Sequence, residues 1–84
     1  MKHRYASPLL QLMNGNILVK QIIELENGEF KRKYPFEQEL AATIWLDGLI
    51  KIVEEEGKLV AYHYSPYNCI NKQPVAGTQR IRLT

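Results

Sequence analysis

Four dipeptides ending in glycine fall between apolar runs along this chain: Asn14-Gly15, Asn27-Gly28, Asp47-Gly48 and the looser Glu56-Gly57. A two-residue hairpin loop of the type I′ class needs positive φ at both central residues, and Asn, Asp and Gly tolerate that conformation best. A chain punctuated in this way is expected to fold as consecutive β-hairpins.

Each turn predicts a register, and a one-residue slip would move every side chain to the wrong face of the sheet. With Asn27-Gly28 as the loop, Leu25 faces Phe30, Ile23 faces Arg32, Gln21 faces Tyr34 and Val19 faces Phe36. The opposite face then pairs Glu24 with Lys31 and Ile22 with Lys33, and cross-strand opposite charges contribute up to about 1 kcal/mol. Glu26 opposite Glu29 is a mild conflict at the exposed turn. Asn14-Gly15 adds a strand by placing Leu12 opposite Ile17 and Leu10 opposite Val19. The result is a meander over residues 8–13, 16–26 and 29–36. Its core face would be Leu10, Leu12, Ile17, Val19, Ile23, Leu25, Phe30, Tyr34 and Phe36.

Residues 37–55 read in two ways. Glu37-Gln38-Glu39-Leu40-Ala41-Ala42 begins like a helix with acids in its first turn, and Ala41, Trp45, Leu49 and Ile52 would form its stripe. A helix through 37–55, giving an α+β fold, would carry Gly48 in its middle and crowd Glu54, Glu55 and Glu56 at a C-terminus that disfavours anions. The β alternative avoids both conflicts: residues 43–46 and 49–53 form a hairpin about Asp47-Gly48, which turns again at Glu56-Gly57 into residues 58–65. A short helix near residues 37–42 fits either version. Pro66, Asn68, Asn71, Pro74 and Gly77 mark residues 66–77 as a turn-rich loop. The alternation of Arg80, Ile81, Arg82 and Leu83 then reads as a closing strand. The expected fold is one mostly β domain over residues 1–84, an antiparallel meander forming a small barrel or two-layer sandwich.

Composition excludes several classes. The hydrophobic share of 45% and charged share of 24% are those of a globular domain. The single cysteine, Cys69, allows neither an internal disulfide nor a Cys-rich zinc site, which suits a reducing, cytoplasmic setting. The basic start and the apolar stretch at Leu9, Leu10, Leu12 and Met13 lack a cleavage site and are read as mature sequence, and no segment is long enough to cross a bilayer as a helix. Net charge is +2, distributed as +3 over residues 1–35, −5 over 36–57 and +4 over 58–84. Such asymmetry belongs to a solvated face or to charge-complementary association.

Chemistry finds few candidates. Cys69 with His63, or with His3, is the only thiol and imidazole pairing, which makes a thiol-dependent enzyme a minor alternative; a lone Cys in a polar loop is ordinarily a small filler. His3, His63 and Cys69 are too scattered for zinc, and neither a metal nor a cofactor is expected. Nucleic-acid binding by a small β domain needs a basic face with aromatic platforms, which Lys31, Lys33, Arg80, Arg82, Tyr62, Tyr64 and Tyr67 could supply. Against that stand Glu24 and Glu26 beside the first lysines, and the ordinary use of alternating tyrosines as an inward sheet face. The favoured expectation is a non-enzymatic domain that binds protein, itself included as a homodimer. The predicted Asp47-Gly48 hairpin is apolar on both faces, so Trp45, Leu46, Leu49 and Ile50 are either core or an interface. A single-stranded nucleic-acid module is the alternative.

The strand before Glu26-Asn27-Gly28, the return ending Tyr34-Pro35-Phe36, and Leu46-Asp47-Gly48-Leu49-Ile50 together resemble the small N-terminal β domain of amidohydrolases. In that family similar hairpins frame a separate metal-bearing barrel. The resemblance implies hairpins for the second half of this chain and carries over no metal ligand, because the family's paired histidines have no counterpart here.

Overall fold

The computed structural model describes residues 1–37 and 42–84. Seven strands form one mixed sheet: β1 (Lys2–Gln11), β2 (Ile17–Glu26), β3 (Glu29–Pro35), β4 (Thr43–Trp45), β5 (Leu49–Glu55), β6 (Lys58–Asn68) and β7 (Gln73–Arg82). Their order is β3-β2-β1-β5-β6-β7, with β4 also alongside β1. The fold is all-β, as expected from the turns. It is a single sheet that does not close into a barrel, although β3 curls far enough to touch β6. No helix occurs among the described residues, which contradicts the helix through 37–55; most of the short helix expected near 37–42 lies outside the described residues.

The Asn27-Gly28 turn forms as predicted, with φ of 54° and 82°, and Leu25 does face Phe30. One residue later β3 bulges, so Ile23 faces Lys33 and Glu24 faces Arg32 instead of Lys31. The bulge has an electrostatic return: it brings Arg32 and Tyr34 to Glu24, while Lys31 pairs locally with Glu29 at 3.2 Å. Asn14-Gly15 reverses the chain through a longer loop, closed by the Gly15 amide on the Leu12 carbonyl and the Leu12 amide on Asn16. Leu9, rather than Leu10, therefore faces Val19, which is left exposed.

The largest departure is at Asp47-Gly48. Strands β4 and β5 do not form a hairpin; both run parallel to β1, with Tyr5 beside Ile44 and Leu10 beside Ile50. Gly48 has a positive φ of 104°, yet the chain jogs there without reversing. An added Cβ would lie 2.3 Å from the Tyr64 carbonyl oxygen, so glycine is required by close packing against β6. Pairing with β1 wins because β1 begins at Lys2 and is longer than its apolar part suggests, offering a ladder edge to both segments. The Glu56-Gly57 turn does form a two-residue hairpin, with φ of 51° and 79° and Glu55 facing Lys58. Beyond it, β6 and β7 extend into the predicted 66–77 loop and shrink the turn to residues 69–72, where the Asn68 side chain accepts the Ile70 and Asn71 amides.

The main core joins Leu10, Ile23, Leu25, Ile50, Ile52, Ala61 and Leu83, with Tyr5, Phe30, Leu46 and Leu59 packed against it. Strands β1 and β5 are buried on both faces, since Leu9 and Leu49 are as buried as Leu10 and Ile50. Ile17, Val19, Tyr34 and Phe36 lie outside that core cluster: Tyr34 turns to Glu24 and Phe36 meets the Trp45 ring edge-on at 5.9 Å.

Candidate functional site

Strand alternation decides which side chains of the β5–β6–β7 half are available. Because Ile50, Ile52 and Ala61 face the core, their neighbours Leu49, Lys51, Tyr62 and Tyr64 face away from it. Register then assembles a surface: Tyr62 lies between Lys51 and Arg82, and Tyr64 between Leu49 and Arg80. The two tyrosines are half-buried and share the face turned away from the main core with the buried Leu49 and Val60.

A groove of about 440 Å³ opens on this surface, lined by Leu49, Lys51, Tyr64, Tyr67, Thr78 and Arg80. Leu49 gives it an apolar floor, Tyr64 and Tyr67 supply aromatic side chains, and Lys51 and Arg80 supply positive charge. The Thr78 hydroxyl fixes the wall by donating to the Pro66 carbonyl at 2.7 Å and accepting from the Val75 amide at 2.9 Å.

Beside the groove the charges are paired. The Arg80 guanidinium lies 4.6 Å from the centroid of the Tyr62 ring. Glu55 uses both oxygens: one accepts the Tyr62 hydroxyl, the other meets Arg82 at 3.4 Å. The carboxylate so close to Tyr62 holds its phenol above the usual range, aided by partial burial. Tyr62 is thus covered by arginine and anchored by carboxylate, while Tyr64 and Tyr67 line the groove. Burial, with Cys69 and Tyr64 nearby, also raises Tyr67.

Of the nucleic-acid candidates read from the sequence, Tyr62, Tyr64, Tyr67, Arg80 and Arg82 come together here. Lys31 and Lys33 do not; they sit on β3, the opposite end of the strand order. Lys51 and Glu55 were missed, although the Glu56-Gly57 turn taken as a two-residue loop places Lys51 directly opposite Tyr62.

Of the interface candidates, Ile50 is buried within the chain, Leu46 packs on its core, and Leu49 is a buried side chain at the base of the groove, so none of them stands out as an exposed apolar patch. The two-sided apolar pattern reflects a strand buried on both faces. Trp45 is 52% exposed and Ile44 50%, both on the short strand β4, whose other edge pairs with no strand among the described residues.

Cys69 and His63 are not brought together as a nucleophile and its base. The His63 imidazole contacts the Asp47 carbonyl, and the Cys69 thiol makes long contacts with the Gly48 and Tyr67 carbonyls, at 3.7 and 3.8 Å. Burial, reinforced by Asp47, pushes that thiol up, opposite to the shift a thiolate nucleophile needs. Among the described residues no three His, Cys, Asp or Glu side chains are grouped to hold a metal, and no helix is long and apolar enough to cross a membrane. Comparison with protein-family models, curated proteins and solved structures finds no match to this chain.

Proposed function

We propose that this protein is a non-enzymatic binding module whose β5–β6–β7 surface receives a short stretch of single-stranded nucleic acid. The observation that carries this reading is the alignment of Tyr64 and Tyr67 with Lys51 and Arg80 around one open groove on the face turned from the core. Base faces stack on aromatic rings with little regard to sequence, while the phosphates need cations beside them, and the groove offers both within one short span. Two cations, Lys51 and Arg80, neither in an ion pair among the described residues, make weak, salt-sensitive, sequence-tolerant binding the expectation. The test is fluorescence anisotropy of a labelled oligothymidylate at low salt. Binding should appear in the micromolar range or weaker, and Tyr64→Leu should lower it roughly 5- to 160-fold, in keeping with ~1–3 kcal/mol per stacked base. Absence of binding by both the unaltered protein and Glu55→Gln would overturn the reading.

A second reading has its own observation. The half-exposed Trp45 and Ile44 lie on an edge strand, and a second copy presenting the same strand could extend the sheet across a two-fold axis while covering both side chains. A homodimer of this kind would become monomeric in Trp45→Ser by light scattering at high protein concentration. A monomeric unaltered protein would remove it.

A further inference from the structure

Glu55 is the only carboxylate that touches both an arginine and a tyrosine beside the groove among the described residues. Arg82 sits on edge strand β7 and, to meet Glu55 on β5, extends across the β6 row at Tyr62. It is half-exposed, and so is Glu55, with side-chain exposures of 51% and 36%. In this geometry the carboxylate occupies the place that a phosphate oxygen would take on the same guanidinium, with the Tyr62 hydroxyl as a second donor to it.

We infer that Glu55 is an internal stand-in for phosphate that masks Arg82 and Tyr62, so that an incoming anionic strand must displace it to use the full site. The inference rests on the nucleic-acid reading of the groove. Three features carry it. The pair is exposed enough for exchange with solvent, so it contributes little to holding the fold. Both donors it occupies point toward the surface that carries Arg80 and Lys51. And the Arg80 guanidinium lies on the same Tyr62 ring whose hydroxyl Glu55 holds, so releasing Glu55 leaves Arg80, Tyr62 and Arg82 as one contiguous donor surface.

The experiment compares the unaltered protein, Glu55→Gln, Arg82→Gln and the double variant, titrated with labelled oligothymidylate over a series of salt concentrations. Glu55→Gln should bind about 3- to 10-fold tighter at low salt, and its plot of log affinity against log salt should steepen by about 0.7, the increment for one further phosphate contact on a single strand. Arg82→Gln should cost less in the unaltered background than in Glu55→Gln, because only there is the guanidinium available. The phenol of Tyr62, followed by ultraviolet titration, should fall back toward the ordinary tyrosine range in Glu55→Gln, confirming that the contact exists in solution. If the unaltered protein binds while Glu55→Gln shows the same affinity and slope, the masking role is wrong and the groove reading stands. If neither protein binds, both fall. If only Glu55→Gln binds, masking is supported in its strongest form.

Discussion

On the β1–β2–β3 side of the sheet a glutamate lies between two arginines and a tyrosine, and on the β5–β6–β7 side a second glutamate has nearly the same company. Glu24 meets Arg4 at 3.0 Å, Arg32 at 3.4 Å and the Tyr34 hydroxyl at 2.8 Å. Glu55 meets Arg82 and the Tyr62 hydroxyl, with Arg80 over the Tyr62 ring. Burial separates them: the Glu24 side chain is 7% exposed, that of Glu55 36%. A carboxylate withdrawn from water cannot give up its partners without a large desolvation penalty, whereas one at the surface exchanges them for water at almost no cost. The same residue types therefore tie strands together on one side and stay exchangeable on the other. The second arrangement adjoins the groove through Arg80, which lines it.

The comparison breaks most completely if the two sides are no longer held in place, and Gly48 is where that can be done. It lies between β4 and β5 with its α-carbon against the Tyr64 backbone, so any side chain must push β6 away from β5. Gly48→Ala combines a positive φ with a contact to a carbonyl that cannot yield, and should lose about 3 kcal/mol or more, a large part of the stability of a domain this small. A urea midpoint close to that of the unaltered protein would show that the β5–β6 approach is looser than described.

Replacing each glutamate in turn sharpens the comparison. Glu24→Gln leaves a half-satisfied cluster and should cost about 2–3 kcal/mol by urea denaturation, while Glu55→Gln should stay within about 0.5 kcal/mol. The pH dependence should divide in the same way. Donation from the Tyr34 hydroxyl, then from Arg4, with the charge of Arg32, holds the Glu24 carboxyl below the usual carboxylate range. A folded-state value below the unfolded one means its stabilisation is complete above the ordinary carboxylate range and is lost as pH falls through the depressed value. The unaltered protein should thus lose stability on acidification more steeply than Glu24→Gln, measured as urea midpoint against pH; parallel curves would mean that Glu24 is not the group responsible.

How much of this was legible in the sequence differs by element. The turns at Asn27-Gly28 and Glu56-Gly57 and the alternation of residues 58–64 are local, and local sterics write them plainly. The start of β1 is not legible as a strand, because Lys2, His3 and Arg4 look like a solvated end until β2 supplies Glu24 as a partner. The bulge that exchanges Lys31 for Arg32 opposite Glu24 leaves no trace in composition, since either cation satisfies the pattern. The parallel pairing of β4 and β5 with β1 joins residues about forty positions apart, and Asp47-Gly48 reads identically as a reversal or as a close approach to Tyr64. In the site, the tyrosines and β7 arginines stood out by type. Glu55 did not, because three adjacent glutamates look like a solvated turn, and only the register shows that one of them is held by Tyr62 and Arg82.

The finest cut uses the two tyrosine hydroxyls. Tyr34→Phe removes one donor from a carboxylate that water cannot readily reach, so the oxygen facing it is left under-satisfied, with Arg4 as its remaining partner. The expected cost is about 1–1.5 kcal/mol. Tyr62→Phe removes a donor from a carboxylate already open to solvent, and water replaces the hydroxyl, so the cost should be near zero and within about 0.5 kcal/mol. Thermal or urea unfolding of the two variants side by side is the measurement. Equal losses would mean that Glu55 is held as firmly as Glu24, and a carboxylate held that firmly could not yield its place to a phosphate.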